Sequence, residues 1–138
     1  MNIININKNH YEHIFDLLSE LTISPKLNYN NYINIIDKLT ENHMIYVYEI
    51  DNIPVGIITL IIEQKLIHDG KCVGHIEDLV VNNNYKGKGI ATKLLNYCIN
   101  KCKDKNCYKI ILDCKDELKL FYNKNNFLQQ GITMRLDL

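Results

Sequence analysis

The stretch GHIEDLVVNNNYKGKGIATKLL, residues 74–95, decides the fold of this chain. It predicts a strand ending at Val80 and Val81, a polar Asn-rich turn, and a helix that begins after a pair of glycines. Glycine lets the backbone approach a ligand closely. The first N–H groups of a helix have no intrahelical partner and lie at the positive end of the helix dipole. The stretch therefore predicts an anion-binding loop that fits a pyrophosphate.

Two common nucleotide-binding motifs do not fit this loop. A P-loop requires GxxxxGK[ST], whereas the spacing of Gly87 and Gly89 differs and no Lys-Ser or Lys-Thr follows the second glycine. The dinucleotide fingerprint GxGxxG requires a third glycine where Thr92 stands, and it belongs near the start of a βαβ fold. From the loop alone, an ordinary glycine turn without a ligand stays open as an alternative.

Composition narrows the class of protein. A chain of 138 residues is long enough for one domain with its own core. The 16 basic and 16 acidic side chains balance, so we expect no nucleic-acid or membrane partner. The longest apolar run, residues 55–62, is too short to span a bilayer, and the start carries no signal-peptide pattern, which predicts a cytoplasmic protein. The five cysteines, without CxxC pairs, predict reduced core thiols and no metal site.

Hydrophobic periodicity predicts the element order β, α, α, β, β, β, α, β, α, β in a single domain, residues 1–138. Strands are expected at residues 2–7, 44–50, 55–62, 72–81 and 108–114, the last of buried type. Helices are expected from Tyr11 to before Pro25, around Tyr32, from the glycine loop to about Lys105, and at residues 117–124. Residues 127–138 are expected to form a terminal strand or hairpin. The order predicts a mixed α/β sheet with helices on both faces.

Several segments resemble a known family. Residues 85–91, YKGKGIA, resemble the R/Q-x-x-G-x-G/A loop with which GNAT acetyltransferases hold the pyrophosphate of acetyl-CoA, with Lys86 where Arg or Gln is usual. GHIED at residues 74–78, CYKIILDC at residues 107–114, and FYNK at residues 121–124 followed by Phe127 are more particular. Together they resemble the eukaryotic-type glucosamine-6-phosphate N-acetyltransferases over residues 63–134, about half of the chain.

The resemblance implies a fold, a reaction and an assembly. The GNAT fold holds the pantetheine arm of acetyl-CoA between two central strands that splay apart. The implied reaction transfers acetyl from acetyl-CoA to the amine of D-glucosamine 6-phosphate in a ternary complex. It gives N-acetyl-D-glucosamine 6-phosphate and CoA, a step towards UDP-N-acetylglucosamine. The family is a homodimer whose C-terminal strand crosses to the partner, so a homodimer with shared active sites and no metal is expected.

The resemblance also assigns residues to acetyl-CoA. Strand backbone N–H groups are expected to hold the thioester oxygen, and Tyr122 matches a tyrosine that protonates the departing thiolate. From its helical spacing with Phe121 alone, packing in the core is the better interpretation of Tyr122. The expected contacts with acetyl-CoA are Leu79, Val80, Val81, Lys86, Gly87, Lys88, Gly89, Ile90, Ala91, Thr92 and Tyr122.

Three carboxylates, Glu77, Asp78 and Asp113, come at the ends of predicted buried strands, where an unpaired charge is costly. Such groups are either satisfied by backbone donors or used in chemistry. In the family they contact the sugar hydroxyls and the amine, which makes Glu77 and Asp113 candidate catalytic residues and all three candidate substrate ligands. Because neighbouring residues of a strand face opposite sides, we expect only one of Glu77 and Asp78 to face a given pocket.

Recognition of the sugar phosphate is expected from Thr22, Lys65 and His68, which match family positions near the substrate. The chain departs from the family at its C-terminus, because a gapless alignment places Asp137 where the family has a phosphate-binding arginine. Arg135 lies two residues earlier, on the same face of an extended strand, and is the candidate replacement because its guanidinium binds phosphate through two donors.

Two functions of other classes stay open. One is acetylation of a different amine, such as a polyamine, a peptide or another amino sugar. A strongly acidic pocket would favour a polyamine, whereas Lys65 and Arg135 near the acceptor favour a phosphorylated sugar. The other is a non-catalytic acetyl-CoA-binding module, against which the joint presence of Tyr122, Glu77 and Asp113 argues. Leu118, where the family has an asparagine on the CoA arm, puts one pantetheine contact in doubt.

Overall fold

The computed structural model describes residues 2–138 and contains a five-stranded sheet in the order β1-β2-β3-β4-β5. The strands are β1 (Ile3–Asn5), β2 (His43–Ile50), β3 (Ile53–Gln64), β4 (Cys72–Val81) and β5 (Cys107–Ile111). The helices are α1 (Tyr11–Ser19), α2 (Tyr29–Ile36), a single turn α3 (Ile67–Gly70), α4 (Ile90–Asp104) and α5 (Lys119–Lys124).

The central strand is β3, which pairs antiparallel with β2 and with β4. The continuous apolar run predicted this position, because a central strand is covered on both faces. β3 is indeed buried along almost its whole length. β5 returns parallel to β4 after the crossover through α4. The predicted mixed α/β sheet is therefore confirmed.

Two apolar layers cover the two faces of the sheet. On one face α4 buries Ile90, Leu94, Leu95, Cys98 and Cys102. On the other face α1 and α2 bury Ile14, Leu17 and Tyr32 against Val47 and Ile57. Ala91, in the first turn of α4, is only half-buried because Ile90 and Leu94 occupy the centre of the buried stripe. No helix within residues 2–138 is long and apolar enough to cross a membrane.

Two predictions about the C-terminal third are wrong. β5 ends at Ile111, and it is half-exposed because it lies at the sheet edge with β4 as its neighbour. Residues 127–138 form neither a strand nor a hairpin within the described chain, residues 2–138. The backbone of this segment pairs with no sheet edge in the part of the chain that the structure describes. Five of its apolar side chains are 79–117% exposed, namely Leu128, Ile132, Met134, Leu136 and Leu138.

Candidate active site

The site begins where β4 and β5 separate. Their parallel pairing runs from Cys72 opposite Cys107 to His75 opposite Ile111, after which β5 ends and β4 continues to Val81. On its other side β4 stays paired with β3 as far as Val81 opposite Gly56. One edge of β4 is therefore open between residues 76 and 81, in the manner that the splayed GNAT strands predict.

Backbone N–H groups point into this opening. The N–H of Asn82 donates to the carbonyl of Val55 on β3 at 2.8 Å. Because successive residues of a strand direct their N–H groups to opposite sides, those of Val81 and Leu79 face away from β3 and towards the opening. These N–H groups are donors of the kind that stabilises a developing oxyanion, and they are held in place by the sheet before any substrate arrives. The side chains of Val80 and Val81 are buried and Leu79 is half-buried.

A β-bulge interrupts β4 at the acidic pair. The register shifts between Ile57 opposite Val80 and Thr59 opposite Glu77, so β4 carries one residue more than β3 across this interval. Asp78 takes up the extra residue with a φ of +52°. The alternation of faces predicted for Glu77 and Asp78 assumed a regular strand, and a bulge interrupts that regularity at Asp78.

Glu77 lies close enough to Asp78 and to Asp113 to interact with both. The pKa of Glu77 is raised above its usual value, first by partial burial and then by the negative charges of Asp78 and Asp113, with His75 acting in the opposite direction. All three carboxylates are nevertheless exposed to solvent, so the prediction that they are buried is wrong. The opening explains the exposure, because β5 stops at Ile111 and leaves Asp113 beyond the end of the sheet.

The glycine loop follows β4 and leads directly into α4. Gly87 and Gly89 both have φ of +75°, and Gly89 is the N-cap of α4 without a side-chain cap. The first helical bond begins only at Lys93, whose N–H donates to the carbonyl of Gly89 at 3.0 Å. Within residues 2–138 the N–H groups of residues 87–92 have no protein acceptor. This row of free donors at a helix N-terminus fits a pyrophosphate.

The side chains of the loop are arranged around its backbone. Lys86, Gly87, Lys88 and Gly89 are exposed, whereas Ala91 and Thr92 are half-buried in the first turn of α4. Ile90 is buried and anchors the helix start to the core. The ammonium of Lys88 lies 4.8 Å from the centre of the Tyr85 ring, on the same loop. The two lysines add positive charge beside the free N–H groups.

Tyr122 has both a buried ring, as packing in the core requires, and an accessible hydroxyl, as proton donation requires. Its ring is buried between Phe121 and Phe127, with ring centres 5.0 and 5.9 Å away. Within residues 2–138 its hydroxyl has no hydrogen-bond partner. Because every fully buried polar side-chain atom in this part of the chain does have a partner, the Tyr122 hydroxyl must reach solvent. Burial raises the pKa of Tyr122, with a smaller contribution from Cys114. The phenol thus stays protonated at neutral pH and is able to donate.

The predicted phosphate ligands lie in three separate segments of the chain. Lys65 and His68 lie in the β3–β4 turn, at the start of β4, whereas the opening is at its end. Lys65 pairs with Glu63 at 2.8 Å, and the His68 ring stacks on Tyr108 at 4.0 Å. Thr22 is exposed just after α1. Arg135 is exposed in the C-terminal tail, residues 128–138, where its Nε donates to Asp137 at 2.6 Å.

Three further polar residues, which contact predicted residues or the turn before the glycine loop, were missed from the sequence. Glu63 bridges Lys65 and His75, and its hydrogen bonds to both lower its pKa. Glu20 accepts a hydrogen bond from the backbone N–H of Asn83 at 2.8 Å. Thr133 donates its hydroxyl proton to Asp113 at 2.6 Å. Sequence carries no signal for the last two pairs, because each joins segments that are far apart in the chain. Residues 2–138 contain no group of three or more His, Cys, Asp or Glu side chains able to hold a metal ion.

The fold and this site define a class of protein. A mixed sheet in which one edge of β4 is open, with free strand donors and a loop that fits a pyrophosphate, is the arrangement of the GNAT acetyltransferases. The sequence profile of the acetyltransferase (GNAT) family matches residues 11–127. The protein is therefore an enzyme of the acetyl-CoA-dependent class.

Individual relatives narrow the class. The chain is 32% identical to a probable glucosamine 6-phosphate N-acetyltransferase 2 of Oryza sativa subsp. japonica over 87% of this chain and 76% of the relative. It is 34% identical to the glucosamine 6-phosphate N-acetyltransferase of Trypanosoma brucei brucei over 89% of this chain and 86% of the relative. The crystal structure of the Arabidopsis thaliana enzyme of that name superposes with a TM-score of 0.93 at 27% identity, covering 98% and 96% of the two chains. The chain belongs to the glucosamine 6-phosphate N-acetyltransferase family of GNAT enzymes.

Proposed function

We propose that this enzyme transfers the acetyl group of acetyl-CoA to the amine of D-glucosamine 6-phosphate, which yields N-acetyl-D-glucosamine 6-phosphate and CoA for the synthesis of UDP-N-acetylglucosamine. The observation that carries the proposal is the opening between β4 and β5, together with the glycine loop that follows β4 and the three carboxylates on β4 and after β5. Relatives that carry this activity in their names align over nearly the whole chain.

Acetyl-CoA enters this scheme through the backbone. The free N–H groups of residues 87–92 hold the pyrophosphate, and the glycine conformations at Gly87 and Gly89 keep those groups aimed at it. The N–H groups of Leu79 and Val81 bind the thioester oxygen and stabilise the oxyanion that forms during attack. None of these donors depends on a side-chain functional group.

The chemistry is a direct acyl transfer. The neutral sugar amine attacks the thioester carbonyl carbon, the carbon–sulfur bond breaks, and the amine loses a proton. Glu77 and Asp113 orient the amine and accept that proton, directly or through water. Tyr122 gives its phenolic proton to the CoA thiolate, a step for which its raised pKa keeps the proton available. Asp78, at the bulge, contacts the sugar hydroxyls.

Arg135 is the proposed ligand of the sugar phosphate. It would exchange its contact with Asp137 for the phosphate, since the phosphate carries more negative charge and accepts both prongs of the guanidinium. Thr22, Lys65 and His68 are proposed to assist. Lys65 and His68 lie at the far end of β4 from the opening in their own chain. We therefore expect a shared site, in which these two residues contact the substrate bound to the second copy.

A homodimer in the cytoplasm is part of the proposal. Five apolar side chains of residues 128–138 are exposed without a strand partner in the described chain, and a second copy would cover them. The five cysteines are free, which suits a reducing compartment. No nucleic acid, membrane or metal is included among the proposed partners.

One observation favours a second candidate acceptor. The carboxylates Glu77, Asp78 and Asp113 form an acidic cluster, and within residues 2–138 no lysine or arginine forms a salt bridge with any of them. A polycation such as spermidine would be attracted to this cluster. The acetylation of a polyamine is therefore the alternative function.

The test is release of CoA thiol by purified protein with acetyl-CoA and a panel of acceptors. The panel holds glucosamine 6-phosphate, glucosamine, glucosamine 1-phosphate, spermidine and a short peptide. We expect glucosamine 6-phosphate to be turned over well and glucosamine poorly, because the phosphate is recognised. Preferential turnover of spermidine would replace the proposal by the alternative. Binding of acetyl-CoA without turnover of any acceptor would leave only a binding module.

A further inference from the structure

The acidic cluster needs an orienting contact that the residues considered so far do not provide. Asp113 lies beyond the last residue of β5, is exposed, and stands near the negative side chain of Glu77. A carboxylate in such a place rotates freely and is pushed away by its neighbour. To serve the acceptor amine, one of its oxygens must be fixed while the other stays available.

Thr133 supplies such a contact. Its hydroxyl donates to Oδ1 of Asp113 at 2.6 Å. This separation is typical of a hydrogen bond between a hydroxyl and an ionised carboxylate, which is about twice as strong as a neutral one. Threonine suits the role because its branched side chain has few rotamers and loses little freedom on donating. Oδ2 of Asp113 is left free for the substrate.

The contact also ties the C-terminal tail to the site. Within residues 2–138, the bond from Thr133 to Asp113 is the one hydrogen bond between the tail, residues 128–138, and the rest of the chain. The remaining polar contact of the tail, between Arg135 and Asp137, is internal. The position of the tail and the orientation of Asp113 are therefore coupled through a single pair of atoms.

We propose that Thr133 is a positioning residue that fixes the Asp113 carboxylate for the acceptor amine, so that the acceptor site is complete only when the tail is docked. The inference rests on the proposed function, because it assigns Thr133 to the residue that handles the acceptor. It predicts that the tail affects the acceptor and leaves the binding of acetyl-CoA unchanged, since within residues 2–138 no hydrogen bond joins the tail to the glycine loop.

Thr133→Val tests the inference, because it keeps the shape of the side chain and removes the donor. Thr133→Ser is the matched control, since it keeps the donor. We expect Thr133→Val to lower kcat/KM for glucosamine 6-phosphate roughly five- to tenfold, the effect of losing one solvent-exposed hydrogen bond. The kcat/KM of Thr133→Ser for glucosamine 6-phosphate should stay within about twofold of the wild-type value. The KM and dissociation constant for acetyl-CoA should be unchanged in both.

Two further measurements separate positioning from a structural role. In an Asp113→Asn background, Thr133→Val should have no additional effect on kcat/KM, since the positioned carboxylate is gone. Tryptic cleavage after Arg135, which is exposed in the tail, should be faster in Thr133→Val and not in Thr133→Ser.

The outcomes are distinct. If the wild-type enzyme turns over glucosamine 6-phosphate and Thr133→Val does so equally well, the inference is overturned and the proposed function stays intact. Equal losses in Thr133→Val and Thr133→Ser overturn it as well, because the donor is then irrelevant. Absence of wild-type turnover overturns both.

Discussion

Replacement of Gly89 by alanine is the sharpest test of the anion-binding loop. Gly89 has a φ of +75°, and a Cβ built there meets no atom within 4 Å. The cost of Gly89→Ala is therefore conformational and not steric. A left-handed conformation costs a residue with a Cβ about 1–2 kcal/mol. The lower entropy of the unfolded alanine chain offsets about 0.4–1 kcal/mol of this. We expect a net loss of about 1 kcal/mol in the free energy of unfolding.

The effect on acetyl-CoA follows from the same strain. In the free variant the loop relaxes towards negative φ, and its N–H groups turn away from the pyrophosphate position. Binding must then restore the strained conformation, and because 1.4 kcal/mol corresponds to a factor of ten, acetyl-CoA should bind roughly five- to thirtyfold more weakly. Isothermal titration calorimetry with acetyl-CoA measures the affinity, and urea unfolding measures the stability.

Gly70→Ala is the matched control for this prediction. Gly70 has a φ of +69° and only the carbonyl of Lys65 at 4.0 Å from an added Cβ, but it lies in the β3–β4 turn. It should cost similar stability and leave the dissociation constant of acetyl-CoA within about twofold. Wild-type affinity in Gly89→Ala, or equal weakening in Gly70→Ala, would refute the assignment of the loop.

Three other predictions concern single side chains. Tyr122→Phe should lower kcat by about a hundredfold with acetyl-CoA affinity retained, because general acid catalysis is worth at least that much; a loss in affinity alone would assign Tyr122 to the core. Because the pKa of Glu77 is raised, kcat/KM should fall as the pH drops through a value above the usual 4.5. Glu77→Gln should be slow, and its kcat/KM should lack this acidic fall. If the acidic fall is unchanged in Glu77→Gln, Glu77 is not its source. Gly74→Ala should destabilise the fold by about 1–3 kcal/mol, because an added Cβ overlaps Sγ of Cys102. Urea unfolding of Gly74→Ala should show partial recovery on adding Cys102→Ala, and no recovery would place the strain elsewhere.

The sequence alone determined the sheet, the order of its strands along the chain, and the glycine loop. These features follow from local rules: strand and helix periodicity are read within a window, and the Gly87 to Gly89 spacing places the loop at a helix start. The central position of β3 was predictable for the same reason, because a strand covered on both faces is apolar at every position.

Tertiary structure decided what local rules cannot reach. The bulge at Asp78 appears only in the register between β3 and β4, and it interrupts the regular strand from which the faces of the acidic pair were predicted. The exposure of Asp113 follows from the early end of β5, and the bond from Thr133 joins residues twenty positions apart. Residues 127–138 have strand composition but form no strand, because composition is local whereas a strand needs a second edge for its hydrogen bonds.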